Sequence, residues 1–182
     1  VQGTQTLDNT YFLGMSQYYL GVVVHRQFAA VPLRLPEDQL GKDIQQKSEL
    51  VLLARDRYIK TVEYKDPYWA TAAVYQIGAL YQQFWDEVMA VPVPPELNAE
   101  EAQAYVELVN ENTEIRNLLE QSLLYHQRNL DLAKHIHVQN EWVDSSQKEI
   151  ARVSELLGRL QNGEKLRLGR AAQEAEGSVS AL

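Results

Sequence analysis

Four histidines and a few paired acids are the residues of this chain best suited to chemistry. His135 and His137 carry the strongest metal-binding signal, with His126 and Glu141 close by in sequence. In a helix, residues two apart point roughly 200° from each other around the axis, so His135 and His137 do not readily share one ion. No H-E-x-x-H pair, Glu-x-x-His pair or EF-hand loop accompanies them. They read as solvated histidines near a helix C-terminus, where positive charge is favoured. Glu100-Glu101 and Glu111/Glu114 read as acids at helix starts, placed there by the helix dipole. Gly163-Glu164-Lys165 and Gly41-Lys42-Asp43 both lack the upstream glycine of a phosphate-binding loop, and no Gly-x-Ser-x-Gly occurs. Arg55-Asp56-Arg57-Tyr58 reads as a charge cluster on a solvated helix face. With no cysteine, there is no thiol nucleophile, disulfide or zinc-thiolate site. The chain is not expected to be an enzyme, and neither a metal nor another cofactor is expected.

The elements that carry these residues follow from the bulk of the sequence. Its 182 residues suit one domain or a short run of stacked units, and 45% hydrophobic residues allow a sizeable core. A net charge of -8 disfavours nucleic acid and anionic membrane surfaces, which both select basic faces. No stretch approaches the ~20 apolar residues of a membrane span. The start at Val1, without Met or a leader pattern, suggests a processed or trimmed chain.

Helical periodicity dominates. Leu40, Ile44, Val51, Tyr58 and Val62 form one stripe; Ile77, Leu80, Tyr81, Phe84 and Val88 form another; Leu118, Leu119, Leu123, Leu130 and Ala133 form a third. Val22-Val23-Val24 lies inside a helical pattern and is read as helix. Asp66-Pro67, Asn98 with Glu101, and Pro36 with Glu37 and Asp38 mark helix starts. The segments 31–36 and 91–95 are proline-rich and must break the helices before them. Helices are expected near 5–30, 38–64, 67–90, 99–112, 113–138, 140–161 and 164–176.

Two stretches repeat an ordered series. Tyr18-Tyr19-Leu20-Gly21, Phe28, Val31-Pro32 and Pro36-Glu37 are echoed by Tyr75-Gln76-Ile77-Gly78, Trp85, Val91-Pro92 and Pro95-Glu96. Each copy then enters a long helix with a tyrosine, Tyr58 or Tyr125, and ends at a Trp opening the next helix, Trp69 or Trp142. A partial third copy ends at Leu156-Leu157-Gly158. Duplication on this scale marks stacked helix pairs. Mid-helix glycine costs about 1 kcal/mol against alanine, a cost accepted where another helix approaches closely.

Ile77-Gly78-Ala79-Leu80-Tyr81, and more loosely Leu20-Gly21-Val22-Val23-Val24, resemble the first-helix core of the tetratricopeptide signature, although the unit exceeds that family's ~34 residues. Together with Asp-Pro-x-Trp-Ala-x-Ala-Ala from Asp66, the pattern over roughly 10–160 is similar to the C-terminal region of tetratricopeptide proteins of myxobacterial cell envelopes, some of them parts of gliding-motility machinery. The resemblance implies an all-α fold of antiparallel helix pairs stacked as a divergent tetratricopeptide-like solenoid. It implies a bacterial cell-envelope or periplasmic setting, with the cytoplasm left open by the composition. It also implies a concave groove lined by first helices. By register, Met15, Tyr18, Val22, His25 and Arg26 of one copy and Ala72, Tyr75, Ala79, Gln82 and Gln83 of the other would face a partner protein or peptide. Packing of Tyr18 and Tyr75 between helices is the competing reading.

The repeat domain is expected over 1–161, in units near 10–66, 67–139 and 140–161. A capping helix or tail is expected over 162–182. The expected function is a non-catalytic scaffold for a partner protein within a multi-protein assembly, with no nucleic acid, membrane span or small-molecule substrate. The alternative is a terminal structural segment of a larger solenoid, with no groove ligand of its own.

Overall fold

The computed structural model describes residues 10–169, and every regular element among them is an α-helix. The six are α1 (Thr10–Ala30), α2 (Glu37–Val62), α3 (Pro67–Ala90), α4 (Ala99–Glu111), α5 (Thr113–Ile136) and α6 (Glu141–Gln161). Val22 to Val24 lie within α1, where the surrounding apolar period outweighs their β-branched preference.

Local chemistry sets the boundaries. Asp66 accepts a hydrogen bond from the Trp69 N–H at 3.0 Å, with Pro67 at the first helical position. Asn98 and Glu101 cap α4 reciprocally, the Asn98 side chain accepting from two backbone N–H groups while its own N–H donates to Glu101. Asn112 ends α4 and caps α5, so Glu111 closes a helix instead of opening one, unlike Glu114 in the first turn of α5. Asn140 caps α6, and its side-chain amide donates to Thr71 at 2.9 Å, tying the start of α6 to α3.

The proline loop between α1 and α2 is anchored by Asp43, a buried carboxylate on α2. It accepts from the backbone and guanidinium of Arg34 and from Gln39. The hydrogen bonds from Arg34 hold its pKa at about 2.

Packing follows chain order. α1 packs on α2, α3 on both, α5 on α3, and α6 on α5 and α3, while α4 sits on the connection between α3 and α5. α3 is the centre of the molecule, and Ile77, Leu80, Ala72 and Ala73 on it are fully buried. One core gathers Phe28, Val51, Tyr58, Ile77 and Phe84; a second gathers Trp85, Leu119, Val153 and Leu157.

The two glycines of the repeated series are packed alike. A Cβ on Gly21 would stand 2.5 Å from the Tyr58 ring, and one on Gly78 would stand 2.7 Å from the His126 ring. The counterpart of Tyr58 is therefore His126; Tyr125, its neighbour, stacks on Tyr81 instead, with ring centroids 5.9 Å apart. Gly158 faces nothing within 4 Å, because no further helix packs beside that turn among the described residues.

Beyond α6 the chain does not resume a helix over 164–169. Gly163 adopts φ 77°, ending the helix, and the chain runs on as an extended strap. Leu166 is buried, its N–H donating to Asn110 Oδ1 at 2.8 Å and its carbonyl accepting from Asn110 Nδ2 at 3.0 Å. The Gly169 N–H then donates to the Met89 carbonyl. Asn110 thus acts toward the strap as a neighbouring strand would, which removes the reason for residues 164–169 to coil. The remainder of the expected helix over 164–176, and the start of the one over 5–30, lie outside the described residues.

Candidate functional site: an aromatic cleft

A cleft of about 430 Å³ opens where α1, α3 and the start of α6 meet. α1 supplies Tyr18, Tyr19, Val22, His25, Arg26 and Ala29; α3 supplies Tyr68, Trp69 and Gln76; Trp142 of α6 closes one end, with Tyr58 of α2 at the floor. Trp69 is the hub of the wall, with the rings of Tyr18, Tyr19 and Tyr68 at centroid distances of 5.1, 6.0 and 5.0 Å. Tyr68 donates to Glu141 at 2.8 Å, spanning from α3 to the first turn of α6. Arg26 is exposed and is the cation at the rim.

His25 is the best-defined polar group of the cleft. Its Nε2 lies 3.0 Å from Gln83 Oε1 and its Nδ1 3.2 Å from the Tyr58 hydroxyl. An amide oxygen can only accept, so Nε2 carries the proton and Nδ1 accepts from Tyr58. Burial lowers the His25 pKa below its ordinary 6.5, opposed by the Gln83 hydrogen bond and by Glu87, so the ring is neutral at pH 7.

The chain of contacts continues inward. Gln83 Nε2 donates to Glu87 at 2.8 Å, and Glu87 pairs with Lys47 at 2.5 Å. Lys47, fully buried, also donates to the Phe28 carbonyl at 2.7 Å and stands 3.9 Å above the Phe28 ring. The Glu87 carboxylate, the Phe28 carbonyl and the Phe28 ring face together accommodate the ammonium of Lys47. The result is an unbroken polar path from the cleft to the core through α1, α2 and α3. Both nitrogens of His25 are committed to it, so the arrangement holds an imidazole in place and leaves no free base at the cleft. It can do what an aromatic surface with fixed polar edges does, which is to bind.

The expected groove residues divide. Tyr18, Val22, His25 and Arg26 come together at the cleft. Tyr18 is 6% exposed, so only an edge of it reaches the cleft. Met15 is partly buried against the main core. Tyr75 sits between the rings of His126 and Trp142, at 5.4 and 5.5 Å. Gln82 is buried toward α6, where its amide lies between Glu149 and Arg152. Gln83 reaches the cleft only through His25. Ala72 is fully buried and Ala79 half-buried.

Among the residues not anticipated, Tyr19 and Gln76 follow Tyr18 and Tyr75 by one position in the repeat. On α1 the expected Tyr18, Val22, His25 and Arg26 stay at the cleft and Tyr19 joins them, while on α3 Gln76 lines it where Tyr75 was expected. Trp69 and Trp142 were visible as the residues that open each new unit.

His135, in the last turn of α5, and His137, whose left-handed φ of 54° ends it, are both exposed. The described residues hold no group of three or more His, Asp or Glu placed to share an ion. In the Arg55–Tyr58 cluster, Arg55 pairs with Asp56 near the surface while Tyr58 points into the core at 0% exposure. No helix among the described residues is long and apolar enough to cross a membrane. Comparison with protein-family models, with curated proteins and with solved structures finds no match to this chain.

Proposed function

We propose that this chain is a non-catalytic scaffold, a divergent tetratricopeptide-like solenoid that binds a peptide segment of a partner protein in the aromatic cleft between α1, α3 and α6. The cleft carries the reading: it opens on the first-helix side of the stacked pairs, is walled by Tyr19, Tyr68, Trp69 and Trp142, and bears one cation, Arg26, at its rim. Aromatic walls supply contact area at low entropic cost, and the amide of Gln76 and the guanidinium of Arg26 suit peptide carbonyls or an acidic side chain. The multi-protein setting in a bacterial cell envelope rests on the resemblance of the Asp-Pro-x-Trp and Ile-Gly steps alone.

Tyr19 and Arg26 are the positions to change, since both are exposed and their truncation leaves the core intact. Tyr18 is unsuited to this, because losing a buried ring costs about 3–5 kcal/mol. In cross-linking from the chain in its native cells, the wild type is expected to join a defined partner protein at the cleft. Tyr19→Ala and Arg26→Glu are each expected to lower the yield at least about tenfold, the effect of roughly 1.4 kcal/mol. Equal recovery by both variants removes the cleft from the reading.

A further inference from the structure

The outer face of α1 is an uncovered apolar surface. Leu13, Leu20 and Val23 are 49%, 50% and 53% exposed along it. Ser16 and Gln27, also exposed, complete the stripe, and Phe12 stands at its edge. Aligning the two units at Gly21 and Gly78 sets these positions on α3 residues 57 places later. Leu13, Leu20 and Val23 then correspond to Ala70, Ile77 and Leu80, which are 3%, 0% and 0% exposed. Ser16 corresponds to Ala73 and Gln27 to Phe84, both buried.

On α3, Gly78 marks the side toward α5, Gln82 the side toward α6, and Gln83 the side toward α1. Ala70, Ala73, Ile77 and Leu80 occupy the remaining side, the one available to α2, which packs against α3, while Phe84 meets the Phe28 ring of α1 at 5.5 Å. From Leu13 to Val23 the outer face of α1 therefore repeats a face that is covered by a helix on α3.

The charge pattern says what can cover it. From Thr10 to Val24, α1 has no Asp, Glu, Lys or Arg, in a chain whose net charge is -8. Two such acidic chains repel over most of their surfaces and can approach along this uncharged stripe. The opposite end of the molecule excludes a head-to-tail stack, because α6 turns Asp144, Gln147, Lys148, Ser154 and Glu155 outward. Pressing α1 against those charges would strand them without water. A two-fold axis sets a second α1 antiparallel on the first, the direction that α2 takes along α3.

We propose that the chain forms a two-fold dimer through the outer faces of α1, each α1 covering the other where α2 covers α3. The dimer needs no ligand in the cleft, so its failure leaves the scaffold reading standing, and loss of cleft binding leaves the dimer.

Sedimentation equilibrium of the full chain over micromolar concentrations tests it. The wild type is expected to approach twice the 20.8 kDa chain mass. Leu20→Glu, which buries one unpaired carboxylate per copy, is expected to raise the dissociation constant at least about a hundredfold while its helix content by circular dichroism stays that of the wild type. Leu108→Glu, at an exposed leucine of α4, is expected to stay dimeric. The absence of native cysteine allows a second measurement that does not depend on Leu20→Glu folding. Oxidation is expected to link copies through Ser16→Cys or Leu20→Cys and not through Ser154→Cys on α6. A wild type that stays monomeric throughout, and so leaves the face to some other polypeptide, overturns the proposal. So does a dimer indifferent to Leu20→Glu, or an absence of links at both α1 positions.

Discussion

Glycine at positions 21 and 78 inverts an ordinary rule of helix stability. Alanine for glycine in a helix interior normally gains about 1 kcal/mol. Here the added methyl would meet the Tyr58 ring at 2.5 Å or the His126 ring at 2.7 Å, and both rings are fully buried. Gly21→Ala and Gly78→Ala are each expected to lose about 1–3 kcal/mol, the cost of overpacking, in denaturant unfolding. A gain would mean that the aromatic partner has somewhere to go. That a close approach occurs at these glycines was legible from their mid-helix position. Which side chain makes it was not, since Tyr125 and His126 are adjacent and only the helix rotation distinguishes them.

His126 sets a second expectation at this scale. Burial lowers its pKa from 6.5 to about 4, and Ser146 lies 3.4 Å from its Nδ1. The unfolded chain binds a proton near pH 6.5 and the folded chain only near 4, so this contribution is complete above about 6.5 and is lost as pH falls toward 4. At 1.36 kcal/mol per pH unit the loss is roughly 2 kcal/mol by about pH 5 and about 3 kcal/mol in full. His25, lowered in the same direction, adds to it. Asp43 enters only lower, between its ordinary 3.8 and about 2. Denaturant unfolding at neutral pH and near pH 5 measures the slope, and His126→Gln is expected to flatten it. An unaltered slope in that variant would place the titrating groups elsewhere.

At the scale of elements, five of the seven expected helices appear within about two residues of their expected ends: α2 to α6. Their capping residues, Asp66, Asn98 and Asn140 among them, act through neighbours two or three residues away, and such local bonds are readable in sequence. The strap over 164–169 was not readable, because its determinant, Asn110, lies 56 residues upstream. Which residues of α3 reach the cleft was not readable for a similar reason, since the rotation of α3 is set by the helices packed against it.

The strap carries its own prediction. α4 has only Asn110 buried along its whole length, and the Asn110 bonds and the Lys165–Glu107 ion pair link α4 to the strap. Asn110→Ala strips a buried backbone N–H and carbonyl of their partners and is expected to cost about 1–3 kcal/mol. Hydrogen exchange in that variant should quicken in 99–111 and at Leu166 while α3 and α5 stay protected. Faster exchange in α3 as well would show that the strap supports the whole fold.

For the molecule as a whole, the difference between the two units lies at one place. Gly21 and Tyr58 are 37 positions apart, and Gly78 and His126 are 48 apart, yet the two contacts have the same geometry. The surplus of 11 residues is taken up at the α3–α5 turn, where α4 touches the second core through Val109 and adds no buried hydrophobic residue to either core. A turn that has absorbed so much chain without disturbing the pairing beneath it is a natural splice point. A foreign domain grafted between Pro94 and Asn98 would ride at this outer tip, so the fold can carry cargo there without repacking its interior.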